Sequence, residues 1–430
     1  MYKAVITKLK NVRPHSNADR VQLATCWGSQ VVVGLDHEDG ELGVYFPSDG
    51  QLSHEFTSKN NLYRKPERNE DTNKTGYFEE NRRVRAQNFR GEISDGMWLP
   101  IESILRMQSN PKKHSWKHGD ELVEVDGVVI CQKYVSPETQ KQQAKQKAGA
   151  KKKAKTTSRM FKKHYSTDFF VRALPAMDMS QTVTVTEKLH GTSARTAHIK
   201  IDEDSGENTL WEKICLKFGI PIKPRWIYVN GSRRVDLFPK KKHEGNPFHD
   251  PGLREQAGDR FKDMLFKGET VYYEIVGYEP TGSSIMGSMK AKAVSKEFAK
   301  KWGNKIDWTY GNAPKQHSIF VYRVTMTNED GKVAEYSWDA VKQRCSEWGI
   351  PHVPELWRGR LNEISDNEDE VYEHLKHEFS EGPSEVYEGH PREGCTIRYA
   401  DKWKKLKSDP FKLMEDYQKG KGEIDKEEIS

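Results

Sequence analysis

Long apolar runs are missing from this 430-residue chain: only 35% of its residues are hydrophobic, and no stretch approaches the length a membrane-spanning helix needs. Charged residues make up 31%, so the sequence reads as a very polar soluble protein with room for two or three separately cored domains. No signal-peptide pattern opens it. Cysteine is scarce as well. Cys26, Cys131, Cys215, Cys345 and Cys395 are scattered with no Cys-x-x-Cys pair, which argues against a disulfide framework or a structural zinc site and suits a reducing cytoplasm. A Walker A phosphate loop, a His-Glu-x-x-His zinc motif and a Rossmann glycine fingerprint are also absent. A net charge of +6 is mild for this size, so the distribution of charge matters more than its sum.

The most informative stretch runs Val183-Thr184-Val185-Thr186-Glu187-Lys188-Leu189-His190-Gly191. Valine and threonine alternate, the pattern of a half-buried strand, and Lys188 continues the threonine side. Its amine is therefore expected on the polar face at the strand's end. Gly191 lets the chain turn where another side chain would restrict the backbone or block a ligand. A lysine at the mouth of a sheet is a candidate nucleophile, because partial desolvation or a nearby cation lowers its pKa. Further on, Tyr272 and Glu274 share one strand face, opposite Val271, Tyr273 and Ile275, and Phe320 and Tyr322 share another. Glu393 precedes Gly394, which permits close approach to a phosphate or metal, and a hard carboxylate suits magnesium or manganese. Lys405 and Lys407 lie two apart, so on a strand both amines point to one side while Leu406 packs behind.

Glu187-Lys188-Leu189-His190-Gly191-Thr192-Ser193 resembles the nucleotidyl-lysine motif of ATP-dependent RNA ligases, in the group that carries Lys-x-His-Gly where DNA ligases usually carry Lys-x-Asp-Gly. Segments resembling the remaining motifs follow in the family's order: Ser232-Arg233, then Tyr273-Glu274-Ile275-Val276-Gly277, Ser318 to Val324, Glu393 to Arg398, and Trp403 to Ser408. The resemblance implies that Lys188 accepts AMP and that Lys405 and Lys407 neutralise the α-phosphate. It places Glu187, His190, Gly191, Arg233, Glu274, Tyr322 and Glu393 around the nucleotide, with Glu393 also a metal ligand. The aromatic that stacks on adenine is Tyr322 or Phe320, because Arg323 stands where the family usually has an acidic residue.

The front of the chain reads as short strands around Ala4, Val32, Tyr45 and Trp98, separated by turn clusters, which together form a small barrel. Pro14 to Arg20 with Leu23-Ala24-Thr25, Gly43 to Asp49, and Arg85 to Gly96 resemble tRNA-binding OB modules. Arg82, Arg83, Arg85 and Arg90, interleaved with Phe78 and Phe89, form a candidate RNA-binding surface. The polar insertion from Ser58 to Thr75 is expected to be a mobile loop. Between Lys141 and Lys163 stand ten Lys or Arg and no acid. This tract, with Lys151, Lys152 and Lys153 at its centre, reads either as a solvated spacer or as a grip on nucleic-acid backbone.

The expected fold class is α+β: an N-terminal OB-fold β-barrel over 1–130, a basic linker over 131–165, and over 166–430 a covalent nucleotidyltransferase (ATP-grasp-like ligase) domain of antiparallel sheets with flanking helices. The expected activity is ATP-dependent joining of RNA 3′-OH and 5′-phosphate ends through lysyl-AMP and adenylylated RNA, in RNA repair. ATP and Mg2+ or Mn2+ are the implied cofactors. RNA, including nicked duplex or hybrid, is the implied partner, with no membrane and no obligate protein partner, and the location is cytoplasmic. DNA ligases and capping enzymes carry an OB domain after the Lys-x-Lys motif, whereas only about two dozen residues follow Lys407 here. Two alternatives stand beside this reading: a non-catalytic RNA-binding protein that works through the barrel and linker, and a DNA or hybrid nick ligase.

Overall fold

Val31 and Val33 alternate with Gln30 and Val32, and in the computed structural model that alternation becomes the buried side of the strand Ser29–Val33. Residues 2–110, 115–141, 144, 158–165, 167–201, 208–233, 235–237 and 252–421 are described. They divide into two compact units. The first takes in the chain up to Gln140, together with Lys290–Lys301 and the helix Asp409–Gly420. Its largest sheet runs in the order Met97–Pro100, Leu42–Phe46, Ala4–Lys8, Glu121–Leu122, all antiparallel. A second sheet joins Lys10–His15, Ala18–Cys26 and Ser29–Val33, with register shifts between Lys10 and Arg13 and at Pro14 and His15. Such irregularities bend a ribbon, as a small barrel requires. Ile6, Val44, Phe46, Phe56, Ile104 and Ile130 form one buried cluster, and Leu9, Val31, Tyr45 and Trp98 another.

The expected loop over Ser58–Thr75 is instead organised around buried Asn69. Its side chain accepts from the Tyr63 N–H at 2.9 Å and donates to the carbonyls of Tyr63 at 2.9 Å and Lys74 at 2.7 Å. A single amide that replaces three backbone partners holds a loop that has little apolar content of its own.

The helix Asp409–Gly420 buries Phe411, Leu413 and Met414 in this first unit and is fixed to it by ion pairs. Arg83 lies 2.6 Å from Asp416 with both side chains buried, Lys419 is 2.9 Å from Asp49, and Lys412 is 2.8 Å from Asp95. Asp416 also accepts the backbone N–H of Ala86. Burial pushes the Asp416 carboxyl up to about 6, although Arg83 and Lys419 pull the other way.

The second unit holds two antiparallel sheets. One has the order Asp236–Leu237, Trp226–Ser232, Thr192–Lys200, Glu269–Gly277, His317–Thr327, Val333–Glu335. The other has the order Glu355–Arg360, Thr182–Lys188, Gly394–Tyr399, Lys402–Lys407. Val183, Val185, Cys395, Ile397 and Leu406 form the core face of the second sheet. They pack against Phe170 and against Val371, Tyr372 and Leu375 of the helix Glu368–Leu375, so the acidic stretch from Glu363 to Glu381 covers core. The core of this unit starts before residue 166: Met160 and Phe161 are buried against Ala197, Ile199 and Val229. Among the described residues, no helix is long and apolar enough to cross a membrane.

Replacing Arg83 by Met should destabilise the first unit by about 3 kcal/mol, because it leaves the Asp416 carboxylate buried without its cation. A carboxyl whose folded pKa is raised favours folding below its unfolded value and loses that contribution as pH rises through about 6. The Arg83→Met deficit should therefore shrink as pH falls toward about 6 and level off below it, where Asp416 is protonated with or without the arginine. Denaturant unfolding of both proteins between about pH 4.5 and about pH 7.5 checks this, and a deficit that grows on acidification contradicts it.

Candidate active site

Strand register decides which side chains share a surface. Lys188 lies opposite Gly394 and Thr186 opposite Thr396; Gly394 in turn lies opposite Lys407, and Thr396 opposite Lys405. Directly opposed residues project to the same side, so Lys188, Thr186, Thr396, Lys405 and Lys407 share the face away from the hydrophobic core. Lys404 lies opposite Ile397 on the other face, with its Nζ 4.0 Å from Asp168. Lys405 is positioned twice: its N–H donates to the Asp168 carbonyl at 2.9 Å, and its ammonium sits 4.5 Å from the Phe169 ring centroid.

Glu393 joins these cations. The Lys188 Nζ donates to its Oε1 at 2.6 Å, and the Lys407 Nζ lies 3.9 Å from the same oxygen. Its Oε2 lies 3.5 Å from His190 Nδ1 and is left without a normal hydrogen bond. Burial by itself would raise the Glu393 carboxyl, but Lys188, His190 and Lys407 outweigh it and hold the group below the usual carboxylate range. The Lys188 side chain is 21% exposed while Glu393 is wholly buried, so the lysine is the accessible member of the pair.

Two glycines allow this packing. A Cβ on Gly191 would stand 2.4 Å from the Ile275 carbonyl oxygen and 2.9 Å from Glu274 Cγ, and one on Gly394 would stand 2.2 Å from the Leu406 carbonyl oxygen. The turn Leu189-His190-Gly191 thus brings the end of the lysine strand against the strand that carries Glu274. The Tyr310 hydroxyl accepts the His190 N–H at 2.6 Å, and the His190 ring meets Trp308 edge-on at 5.1 Å.

From the six-stranded sheet, Ser193 lies opposite Glu274, and Glu274 opposite Phe320. The ladder slips between Tyr272 and Tyr273, so Tyr272 pairs with Arg323 and Tyr273 with Val321, leaving Tyr322 as the extra residue of a bulge. Glu274, Phe320 and Tyr322 are all half-buried. The Tyr322 hydroxyl is 2.7 Å from Ser193 Oγ, and burial, with the nearby Glu274 charge, raises its pKa. Glu187 projects to the opposite side from Lys188 and is buried, accepting the Glu385 N–H at 2.9 Å. Burial raises its carboxyl. Arg233 follows the strand Trp226–Ser232, and its carbonyl accepts from Arg195 at 3.3 Å.

Arg398 had no role assigned from sequence alone, although its place in Glu393–Arg398 flagged it. Its guanidinium donates to Thr186 Oγ1 at 3.1 Å and to the Tyr322 carbonyl at 2.9 Å, bridging the two sheets. Burial lowers it to about 10. Trp308, Tyr310 and His390 were also missed, and nothing in their local pattern marks them.

Of the arginines expected to meet RNA, Arg85 and Arg90 are exposed. Arg82 is half-buried and donates to the carbonyls of Leu52 and Glu80, and Arg83 is buried against Asp416. Lys151, Lys152 and Lys153 lie outside the described residues.

Among the described residues no group of three or more His, Cys, Asp or Glu could hold a metal ion. Glu393 is a hard oxygen donor of the kind Mg2+ takes, and its buried Oε2, which has no normal hydrogen bond, is the atom it would offer.

A lysine, a buried glutamate and a pair of lysines gathered beside a tyrosine and a second glutamate define the class: a nucleotidyltransferase domain, here combined with an OB fold. An OB-fold domain model matches residues 3–101, and the RNA ligase family model matches residues 181–414. The chain belongs to the RNA ligase family. No curated protein matches it by sequence. Among solved structures it is similar to a Naegleria gruberi RNA ligase mutant with AMP and Mn (TM-score 0.56, 16% identity, 95% of this chain and 97% of that chain covered). It is also similar to another mutant of that ligase with ATP and Mn (0.55, 16%, 94% and 96%), and to the ligase with PPi (0.55, 16%, 95% and 97%). At that identity the likeness speaks to the fold.

Gly394→Ala should cost about 1–3 kcal/mol, since the strand pair must part to admit a methyl group. Gly287→Ala, where a Cβ would meet nothing within 4 Å, is the control and should be near neutral. Equilibrium unfolding of the two variants separates them.

Proposed function

We propose that this protein is an ATP-dependent RNA ligase that seals RNA 3′-OH and 5′-phosphate ends through a lysyl-AMP formed on Lys188. The observation that carries the reading is the accessible Lys188 held against buried Glu393, with Lys405 and Lys407 on the same face. The AMP, ATP, Mn and PPi in the similar Naegleria structures support ATP and a divalent metal here.

In the first step Lys188 gives up a proton and its amine attacks the α-phosphorus. A P–N bond forms as the P–O bond to pyrophosphate breaks. Lys405 and Lys407 face the phosphorus and offset charge as it builds up there. A 5′-phosphate oxygen of RNA then attacks the same phosphorus, and the P–N bond breaks to return the Lys188 amine. Finally a 3′-hydroxyl, losing its proton, attacks the RNA phosphorus and expels AMP. Glu393 would hold Mg2+ or Mn2+, which when bound neutralises phosphate charge and makes deprotonated lysine easier to reach. Glu274 is assigned to the ribose hydroxyls, and Phe320 or Tyr322 to the base; their shared strand face supports this reading. His190 keeps Glu393 in position. RNA repair as the setting, and a cytoplasmic location, fit the polar chain and its unpaired cysteines.

RNA backbone is assigned to exposed Arg85 and Arg90, together with Lys151, Lys152 and Lys153 of the acid-free tract. Arg82 and Arg83 serve the barrel's own structure and leave that surface.

Incubation with α-labelled ATP and magnesium, followed by denaturing electrophoresis, tests the core of this reading. The wild type should take covalent label and Lys188→Ala none. The Lys188→Ala protein should still seal a pre-adenylated RNA end. Lys405→Ala and Lys407→Ala should each slow labelling about a hundredfold, whereas Lys404→Ala should stay within about twofold because its side chain leaves from the other face. Label on Lys188→Ala would overturn the nucleophile assignment.

For the barrel surface, Arg85→Ala and Arg90→Ala should each lower the slope of log affinity against log salt by about 1. An unchanged slope in both, measured by titrating 5′-phosphorylated RNA, would remove this surface from substrate binding.

A further inference from the structure

The segment Ser158–Tyr165, with which the basic tract ends, is built into the second unit. Met160 and Phe161 are buried in its core, and the Arg195 guanidinium lies over Phe161 at 4.3 Å. The Tyr272 hydroxyl donates to the Lys162 carbonyl at 2.9 Å. Beyond that, His164 and Tyr165 reach residues of both sheets. His164 stacks on Tyr165 (5.3 Å, 16°) and lies near-parallel to Trp403 (6.1 Å, 10°), and its ring meets Tyr322 edge-to-face at 5.3 Å. Trp403 projects on the same side as Lys405 and Lys407. The strap therefore meets the sheet face that carries Lys188, Lys405 and Lys407, about four residues along the strand from Lys407.

The bulge at Tyr322 explains the contact. It lets two consecutive residues face the same neighbour: the Tyr322 ring meets the His164 ring, and Arg323 Nη1 lies 3.4 Å from His164 Nδ1. Arg323 is ion-paired with Glu335 and spreads over Tyr272 at 4.3 Å, Tyr165 at 5.0 Å and Trp403 at 5.2 Å. Burial, and then Arg323, Arg233, Arg398 and Arg195, push the His164 imidazole well below its ordinary range, so it is neutral. A neutral ring among four guanidiniums is a partner they can pack against without adding charge. Arg323, which departs from the family's usual acidic residue, is thus the residue that locks the strap in place.

We propose that the Ser158–Tyr165 strap forms the end wall of the nucleotide-base pocket, and that His164 is a positioning residue that props the Tyr322 ring for stacking on adenine. This rests on the reading that the nucleotide lies between Lys188 and Tyr322. With the phosphates at Lys188 and the ribose at Glu274, the base extends toward Thr186 and Tyr322, and the strap is the next structure it meets. An edge-to-face aromatic contact is worth about 0.5–1.5 kcal/mol, so removal of the imidazole leaves Tyr322 free to tilt and weakens the grip on the base more than it slows phosphoryl transfer.

The test uses the full-length chain. ATP dependence of self-labelling is compared for the wild type, His164→Ala, His164→Phe and Arg323→Ala, with unfolding midpoints taken in parallel. AMP binding is measured by calorimetry on the same proteins after pyrophosphate has stripped any bound adenylate. His164→Ala should raise KM for ATP and weaken AMP binding about fivefold, with a smaller effect on the limiting rate. His164→Phe, which keeps a ring, should recover most of the loss, and Arg323→Ala should reproduce it. KM and AMP affinity within about twofold of wild type in a folded His164→Ala protein would overturn the proposal. If His164→Ala does not fold, His164→Gln against His164→Phe decides: equal affinities reject the ring's role. A wild type that takes no label but binds AMP more tightly than His164→Ala would sink the ligase reading and leave the strap standing. A wild type that binds no AMP rejects both.

Discussion

The pairing of Lys188 with a fully buried Glu393 is the constraint around which the catalytic unit is arranged. A carboxylate removed from water is tolerable only beside cations and donors. Supplying them fixes where three strands end: Lys188 arrives at the tip of one, Gly394 brings Glu393 to the start of the next, and Lys407 closes the last. The lack of a Cβ at Gly191 and Gly394 lets backbone approach where any side chain would force the strands apart. The proposed chemistry fits this arrangement: the cation assigned as nucleophile is the partly exposed partner, and the charge that orders it stays out of solvent.

Much of this could be read from residue order because a strand's two-residue period turns sequence into direction. Lys188 on the threonine side and Lys405 with Lys407 opposite Lys404 were fixed by parity alone, and the register of the sheet agrees. A small barrel was readable from short apolar strands between turn clusters. Its OB character came from the resemblance of Pro14–Arg20, Gly43–Asp49 and Arg85–Gly96 to tRNA-binding modules, and the matched family regions cover both halves. What the sequence hid depends on partners far away in the chain. Arg83 looks like its neighbours Arg82 and Arg85, yet its charge is neutralised by a residue 333 positions later. Parity also fails at a bulge. The extra residue at Tyr322 breaks the alternation that would have sent Arg323 to the far face, and no local pattern announces such a slip.

The same limit applies to element boundaries drawn by composition. Residues 158–165 continue a lysine-rich, acid-free tract and so read as spacer, but Met160 and Phe161 are core. Two apolar residues in a charged run carry little weight in a composition average, whereas in the fold they decide where a unit begins. The stretch from Glu363 to Glu381 shows the converse: acids dominate its composition, while Val371, Tyr372 and Leu375 at helical spacing do the packing.

The helix that follows Lys407 belongs to the unit in which the chain began, and so do Lys290–Lys301. Up to Lys421, the last described residue, the polypeptide therefore passes from one unit to the other at 140–141, 289–290, 301–302 and 408–409. In topological terms the catalytic body is inserted into the barrel body as two segments, 141–289 and 302–408, rather than strung after it as a bead. One backbone scission in the basic tract would leave the halves joined by three further crossings. Exchange of the barrel body for another would require a break at each of these crossings.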